Sequence, residues 1–492
     1  MKSIILIVLL LILLLCLPLT FAQNSSLEIE SLVKATGSFL DELNEYDEVS
    51  LAIIITKDQV PVLKKVYGLA NRSFGVPNRI DTKFNIASMN KMFTATAVVQ
   101  LIQQGKLHFE DKIGELMPNY PNEEVRSKVT VYQLLTHTAG MGNIFGSRYS
   151  QIPVNRYQHV DDYLPLFVDD SLCFEPGSAY EYSNAGYILL GLLIEKVSGQ
   201  DYFSYVKEHV FDPAGMENTD CYDVQYPIPN LAIGYSRSAS RSRDYEYRTT
   251  EYMKMTKGGP AGGGYSTVHD LIRFGEALFG NKLLDEHYSK MMTTGKVPVD
   301  DLPQGGKYCF GLVEQMLNGH RIVGHSGNLS GIRSTLKMYV DDGIAVAILS
   351  NVDRDQGAEE LEYFIQERIT GPTDYTRAYL KNNEMVRTAV LKGYEAAVKK
   401  YNTIRDDFEL SEDFIHYHGH WHLGRGDYDK SIALLRFSVF AFPHSGMASE
   451  GLAEAYLQRG DTTNAIHYYS LSLKLNPDNG TVKAILEKLK SR

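Results

Sequence analysis

The chain has 492 residues and a formal net charge of −11, with 22% charged and 44% hydrophobic residues. That acidic balance argues against nucleic acid as a partner, since phosphate binding depends on clustered lysine and arginine. Four cysteines are too few for a disulfide framework, so burial has to hold the core, and the length accommodates two or three domains of about 150 residues each.

At the N-terminus, Lys2 precedes an apolar run from Ile4 to Leu17, followed by Pro18 and the exit Thr20-Phe21-Ala22. The run is short for a membrane span and suits a secretory h-region. Residues 1–22 are therefore expected to be a signal peptide, and the protein to be secreted or periplasmic. An uncleaved anchor is the alternative, and only then would the membrane be a partner. Cys16 lacks the small preceding residues of a lipid-modified cysteine. Cleavage removes one lysine and no acid, and leaves Cys173, Cys221 and Cys309.

Residues 49–67 read as two strands around the turn Lys57-Asp58-Gln59, rich in β-branched residues. The middle of the chain is mixed and rich in helix. "GYILLGLLIEKVSG" and "TVHDLIRFGEALFG" are helical runs ending at glycine. Strands then return: "YCFGLVEQML" meets "HRIVGHSG" across Asn318-Gly319, and "IRSTLKMYV" meets "IAVAILSNV" across Asp341-Asp342-Gly343. A helix, "GAEELEYFIQERIT", stops at Gly371-Pro372. Strands at both ends with helices between them predict an α+β domain over 27–370, whose two ends share one antiparallel sheet covered by helices.

Beyond 370 the texture becomes charged, amphipathic helix. "GDYDKSI" at 426 and "GDTTNAI" at 460 lie one 34-residue period apart, as do Pro443 and Pro477. This is the period of the tetratricopeptide helix pair. It predicts an all-α domain over 411–492, with two repeats and a closing helix, joined by a helical linker over 371–410 that caps the stack. "GYEAAVKKY" reads as a remnant of an earlier repeat. Such repeats offer a surface for a protein partner. In "HYHGHWH" the helical spacing places His418 and His422 at packing positions and His416 and His420 outward. Two converging ligands are fewer than a structural zinc site uses, so no metal site and no cofactor is expected.

Three constellations carry the chemistry. Ser88 and Lys91 sit one turn apart at the head of "SMNKMFTATAVVQLIQQ", a run apolar almost all round and hence buried. Desolvation favours the neutral amine, which accepts a proton from a serine hydroxyl. Free N–H groups at the helix start would stabilise an oxyanion there. Tyr182 and Asn184 stand immediately before a helix; a tyrosine serves as general base where cations lower its pKa, and the amide can hold both substrate and lysine. His325, Ser326 and Gly327 lie within or at the end of a strand along which a substrate chain could pair, and the N–H of Asn328 would complete an oxyanion hole. Each pattern recurs elsewhere, at Ser31/Lys34, Ser204/Lys207, Ser334/Lys337, Tyr120-Pro121-Asn122 and His444-Ser445-Gly446, so only order and context separate the sets.

The order Ser88-x-x-Lys91, Tyr182-x-Asn184, His325-x-Gly327 resembles the penicillin-recognising serine hydrolases, in the branch of class C β-lactamases, DD-peptidases, D-aminopeptidases and esterases. "LLTHTAGM", "FEPGSAYEYSNAGY", "VFDPAGMENT" and "GGPAGGGYST" look like the same family, and the resemblance covers about 27–370. It implies a β-lactamase/transpeptidase-like fold with a helical subdomain. It further implies an acyl-enzyme at Ser88, Lys91 and Tyr182 as the proton-handling pair, and Asn184 and His325 as further catalytic residues. The backbone N–H groups of Ser88 and Asn328 would form the oxyanion hole, with Ser326 and Gly327 contacting a small-molecule or peptide substrate. His325 stands where dedicated class C β-lactamases carry lysine, which favours a peptidase or esterase over a β-lactamase proper. Asn90, two residues from the nucleophile, is expected to point away and matter little. A non-catalytic scaffold working through its repeats is the reading from another class. Specificity is expected to reside in loops such as 143–172 and 222–257.

Overall fold

The protein is described from a computed structural model covering residues 28–46, 49–237, 247–251, 255–353 and 356–491. The expected signal peptide lies outside these residues. Contacts divide the chain into two units, one built from most of the chain up to Thr370 and the other chiefly from Gly371–Arg492.

The first unit is organised on an eight-stranded antiparallel sheet. Its strands in chain order are β1 (Leu51–Lys57), β2 (Val60–Tyr67), β3 (Val297–Pro298), β4 (Lys307–Tyr308), β5 (Val313–Leu317), β6 (His320–Leu329), β7 (Ile332–Tyr339) and β8 (Ile344–Ser350). They lie in the order β2-β1-β8-β7-β6-β5-β4-β3. The turns form where the residues tolerate a left-handed backbone: Asp58 and Gln59 have φ of 48° and 67°, Asn318 and Gly319 of 50° and 91°. The two ends of the unit meet in the sheet, β1 pairing with β8 from Leu51↔Ser350 to Lys57↔Ile344.

β1 is buried along nearly its whole length because both of its faces are covered. Ala52 and Ile54 enter the large core, while Leu51, Ile53 and Ile55 enter a second core on the other face. That second core is closed by helices α1 (residues 28–46) and α5 (Gln356–Thr370) through Leu32, Leu40, Leu361 and Ile365, with Phe39 stacked on Phe364 at 4.0 Å. The large core contains α2 (Asn90–Gln103), α3 (Asn184–Ser198) and α4 (Val268–Phe279). Gly199 stops α3 with φ 74°, as its place after the apolar run requires.

The second unit is all-helical: α6 (Asp374–Lys392), α7 (Tyr394–Ile404), α8 (Glu412–Gly424), α9 (Tyr428–Ala441), α10 (Gly446–Arg459), α11 (Thr462–Leu475) and α12 (Gly480–Lys490). The period seen in the sequence is in the starts of the pairs α8/α9 and α10/α11 and in their caps: Ser411 and Ser445 cap the first helix of each pair, and Asp427 and Asp461 stand at the N-cap of the second. The segment 371–410, expected to be a helical linker capping the stack, contains the helices α6 and α7. Met385, Val386 and Ala397 share one core with Ile415, Leu434 and Phe437. His418 and His422 are buried as the helical spacing predicts. His416 and His420 are not outward as expected. A Cβ on Gly451 of α10 would lie 3.1 Å from His416 Cε1 and 3.2 Å from His420 Nε2, so both rings pack into the space that glycine leaves.

Candidate active site

Ser88 lies in a one-turn 3-10 segment, Ala87–Met89, that runs directly into α2. The α-helix thus starts two residues later than the sequence pattern predicts, and the tighter turn still brings positions three apart onto one face. Ala87 has φ 45°, a strained value for a residue with a Cβ. Two hydrogen bonds hold it there: its N–H donates to Asn85 Oδ1 at 2.9 Å, and its carbonyl accepts from the N–H of Gly263 at 3.0 Å.

Lys91 is fully buried because every residue of α2 through Ile102 is buried. Removal from water pushes its pKa well below the ordinary lysine value. Nζ donates to Asn184 Oδ1 at 2.7 Å and to the Ala261 carbonyl at 2.5 Å. A neutral amine has two N–H bonds and one lone pair, so these acceptors consume both donors and leave the lone pair free. Nζ also lies 4.7 Å from the centre of the Tyr182 ring. The look-alike pairs differ in this respect, since Lys34 and Lys207 are exposed.

Tyr182 and Asn184 flank Ser183, whose hydroxyl caps α3 by accepting from the Gly186 N–H at 2.9 Å. Burial raises the pKa of Tyr182, and a hydrogen bond from the Ser88 side pulls it back only in part. This departs from a phenolate kept ionised by neighbouring cations: with Lys91 neutral there is no cation beside it. The pair is a neutral amine next to a neutral phenol.

His325, Ser326, Gly327 and Asn328 all lie within β6. β5 pairs with β6 only as far as Gly324, whereas β7 pairs to Leu329, so the edge from His325 onward is open on one side. Gly327 allows this strand to abut the nucleophile turn: a Cβ there would lie 2.3 Å from the Ile86 carbonyl oxygen. Asn328 and Ser88 consequently line the same cavity. His325 is buried, and burial lowers its pKa to about 3; Nδ1 lies 2.6 Å from the Ser326 carbonyl oxygen. It is a neutral imidazole behind the cavity. The Ser326 side chain, one residue on, faces the opposite side of the sheet, where Thr335 donates to it at 3.4 Å. Ser326, expected to contact substrate, is therefore not brought into the cavity wall by its side chain.

Two residues matter more than their sequence context indicates. Asn90 does point away from the nucleophile, but it ties the glycine-rich segment 258–264 to α2. Nδ2 donates to the Gly259 carbonyl at 3.0 Å, and Oδ1 accepts from the Gly264 N–H at 3.2 Å. An amide in an otherwise apolar buried helix must find partners, and that was the available signal. His137, from "LLTHTAGM", clamps the backbone on both sides of Tyr182. Its Nδ1 accepts from Ser183 N–H at 3.1 Å and its carbonyl from Glu181 N–H at 3.0 Å, with ring centres 4.3 Å apart from Tyr182. Burial holds its pKa well down.

These groups surround a cavity of 360 Å3 with Ser88 and Tyr182 in its wall. Both loops expected to set specificity contribute, through Asn143–Phe145 and through Met255 and Lys257. The arrangement can place a carbonyl between Ser88 and the open edge of β6.

The family model that matches the sequence is that of the beta-lactamases, over residues 36–370. A penicillin-binding protein of Bacillus subtilis (strain 168) is 29% identical over 344 residues, which is 67% of this chain and 74% of that protein. A second B. subtilis protein, named as a putative penicillin-binding protein, is 30% identical, over 51% of this chain and 61% of its own length. The crystal structure of a penicillin-binding protein from Bacillus halodurans superimposes with a TM-score of 0.60 at 30% identity, covering 66% of this chain and 98% of that one. The D-amino acid amidase of Ochrobactrum anthropi SV3 gives 0.59 over 69% of this chain and 98% of its own, but at 22% identity this likeness concerns the fold alone.

Proposed function

The chain belongs to the beta-lactamase family, and from that premise we propose that it is an exported serine hydrolase that acylates Ser88 and hydrolyses an amide or ester, foremost a D-amino-acid peptide or a small ester. The observation that carries this reading is Lys91: a wholly buried amine with both N–H bonds engaged and its lone pair free, one turn from a serine on a strained turn. Packing alone gives no reason to bury a lysine there, whereas a base needs this environment.

In the proposed reaction Ser88 Oγ attacks the substrate carbonyl. Its proton passes to Lys91, directly or through the Tyr182 hydroxyl, and then to the leaving amine or alkoxide as the C–N or C–O bond breaks. The N–H groups of Ser88 and Asn328 stabilise the tetrahedral oxyanion. Water then attacks the acyl-serine by the reverse route, giving up its proton to the same pair and releasing the acid. Asn184 holds Lys91 through its Oδ1, while its Nδ2 is fixed by Asn143 at 2.9 Å. Neutral His325 supplies no positive charge for a substrate carboxylate, which counts against β-lactam hydrolysis as the main activity.

A serine-reactive phosphonate, with the adduct located by peptide mass, tests the proposal. Labelling at Ser88 that is lost in Ser88→Ala is expected; no label, or equal labelling of the variant, removes the hydrolase reading in favour of a scaffold. Rates on a chromogenic cephalosporin, a short-chain ester and a D-alanyl peptide then rank the chemistries.

A further inference from the structure

The wall of the cavity beyond Ser88 is aromatic and aliphatic. Ile144, Phe145, Tyr149, Tyr163, Met255 and Leu329 line it. The rings form a continuous series: Phe145 meets Tyr149 edge-on at 5.1 Å, Tyr149 lies 6.0 Å from Tyr157, and Tyr157 lies 4.9 Å from Tyr163. Tyr163 is held against the glycine-rich segment 258–264, where a Cβ on Gly259 would lie 3.2 Å from its hydroxyl. Phe145 is the exception, an aromatic side chain left 50% exposed at the cavity. A ring in that position loses solvent contact when a second apolar group enters.

Several of the polar lining groups are engaged with one another. Asn85 spends its amide on Ala87 N–H and the Gly263 carbonyl, and Asn143 accepts from Asn184, whose own carbonyl oxygen is held by Lys91. No acidic side chain lines the cavity among the described residues, so nothing there faces a substrate ammonium. Among the described residues one cation lines it, Lys257. Its Nζ donates to the Gln158 carbonyl at 3.3 Å and lies 3.6 Å from the centre of the Phe203 ring, and its charge acts on the carboxylates of Asp201 and Asp220, which lie outside the cavity lining.

We infer that the acyl group transferred to Ser88 is neutral and apolar, with an aromatic ring seated against the exposed side of Phe145 where it meets Tyr149, and carries neither a free carboxylate nor a free ammonium. The inference rests on the hydrolase reading above and narrows it. A substrate with a blocked amine fits this wall, and one with a free α-amine or a terminal carboxylate on the acyl side would bury an unpaired charge against it. Volume agrees: 360 Å3 holds a substituted ring with its linker.

The test uses the full-length protein and four p-nitrophenyl esters: hydrocinnamate, acetate, monosuccinate and the ester of phenylalanine. Each kcat/KM is divided by the hydroxide-catalysed rate of the same ester, so that intrinsic reactivity cancels. The hydrocinnamoyl ester is expected to lead the other three by at least about tenfold. In Phe145→Ala the hydrocinnamoyl-to-acetyl ratio is expected to fall at least about fivefold. A charged ester equal to or faster than the hydrocinnamoyl ester overturns the inference, as does a ratio unchanged in both Phe145→Ala and Tyr149→Ala. Phosphonate labelling on the same preparation separates the two failures. A labelled Ser88 with charge-indifferent rates removes only the acyl-group inference, while an unlabelled Ser88 removes the hydrolase reading as well.

Discussion

Lys91 and Tyr182 are governed by the same cost, that of holding an ion away from water, and it acts on them in opposite directions. It takes the proton off the amine and keeps it on the phenol. A depressed lysine pKa means that the base is ready at neutral pH and is lost only as pH falls through the lowered value. The proposed hydrolase should therefore show kcat/KM that is flat from about pH 8 to 10; a lysine at its ordinary 10.5 would make the rate climb through that range. Lys91→Arg introduces a cation that cannot give up its proton. A loss of about 10²–10⁴ in kcat/KM is expected on any ester the protein turns over, and a variant within a few-fold of the parent would rule Lys91 out as the base.

The joint between β6 and the turn carrying Ser88 depends on Gly327. An added Cβ would fall 2.3 Å from the Ile86 carbonyl and 2.4 Å from Ser334 Oγ, so Gly327→Ala must push the strand away from the turn. Overpacking of this kind costs about 1–3 kcal/mol, and separating Asn328 from Ser88 should lower kcat about 10²-fold; thermal unfolding and ester kinetics read the two effects. A second element has its own vulnerability. α8 buries two histidines, His418 and His422, and partly buries His416; their pKa values fall to about 3 at His418 and about 4 at His416 and His422, chiefly through desolvation, with Asp427 offsetting part of it at His422. The unfolded chain binds protons at these rings below about 6.5 and the folded helix does not, so their contribution is intact above that value and lost as pH falls toward 4. Helical signal in circular dichroism should decline across this window, and His418→Leu should shift the decline to lower pH. A helical signal constant from pH 7 to 4 would contradict it.

The larger unit cannot be shortened from its C-terminal end, because its last strand lies inside the sheet. β8 sits between β1 and β7 and is paired along both edges. A chain ending after residue 343 would leave β1 and β7 with open edges and uncover Leu51, Ile53 and Ile55. Such a product is expected to lack a cooperative thermal transition, whereas a cooperative melt would show that the sheet closes without it. No helix among the described residues is long and apolar enough to cross a membrane.

What the sequence determined by itself were the features written in local patterning. The hairpins follow from residues that accept positive φ at Asp58 and Asn318-Gly319, the shared sheet from apolar strands at both ends of a helical middle, and the paired helices from a period of 34 residues. The order of Ser88, Lys91, Tyr182, Asn184 and His325 was legible for the same reason, since each motif is short and contiguous. Tertiary structure decided what depends on environment. Burial, legible in advance for Lys91 from the apolar run around it, also keeps the proton on Tyr182, which no single window records. Strand alternation within a sheet of known faces turns Ser326 away from the cavity. A glycine on a neighbouring helix draws in His416 and His420, and distant backbone groups recruit Asn90 and His137 as supports. These outcomes rest on desolvation and on contacts between residues far apart in the chain, and both exist only once the chain has closed on itself.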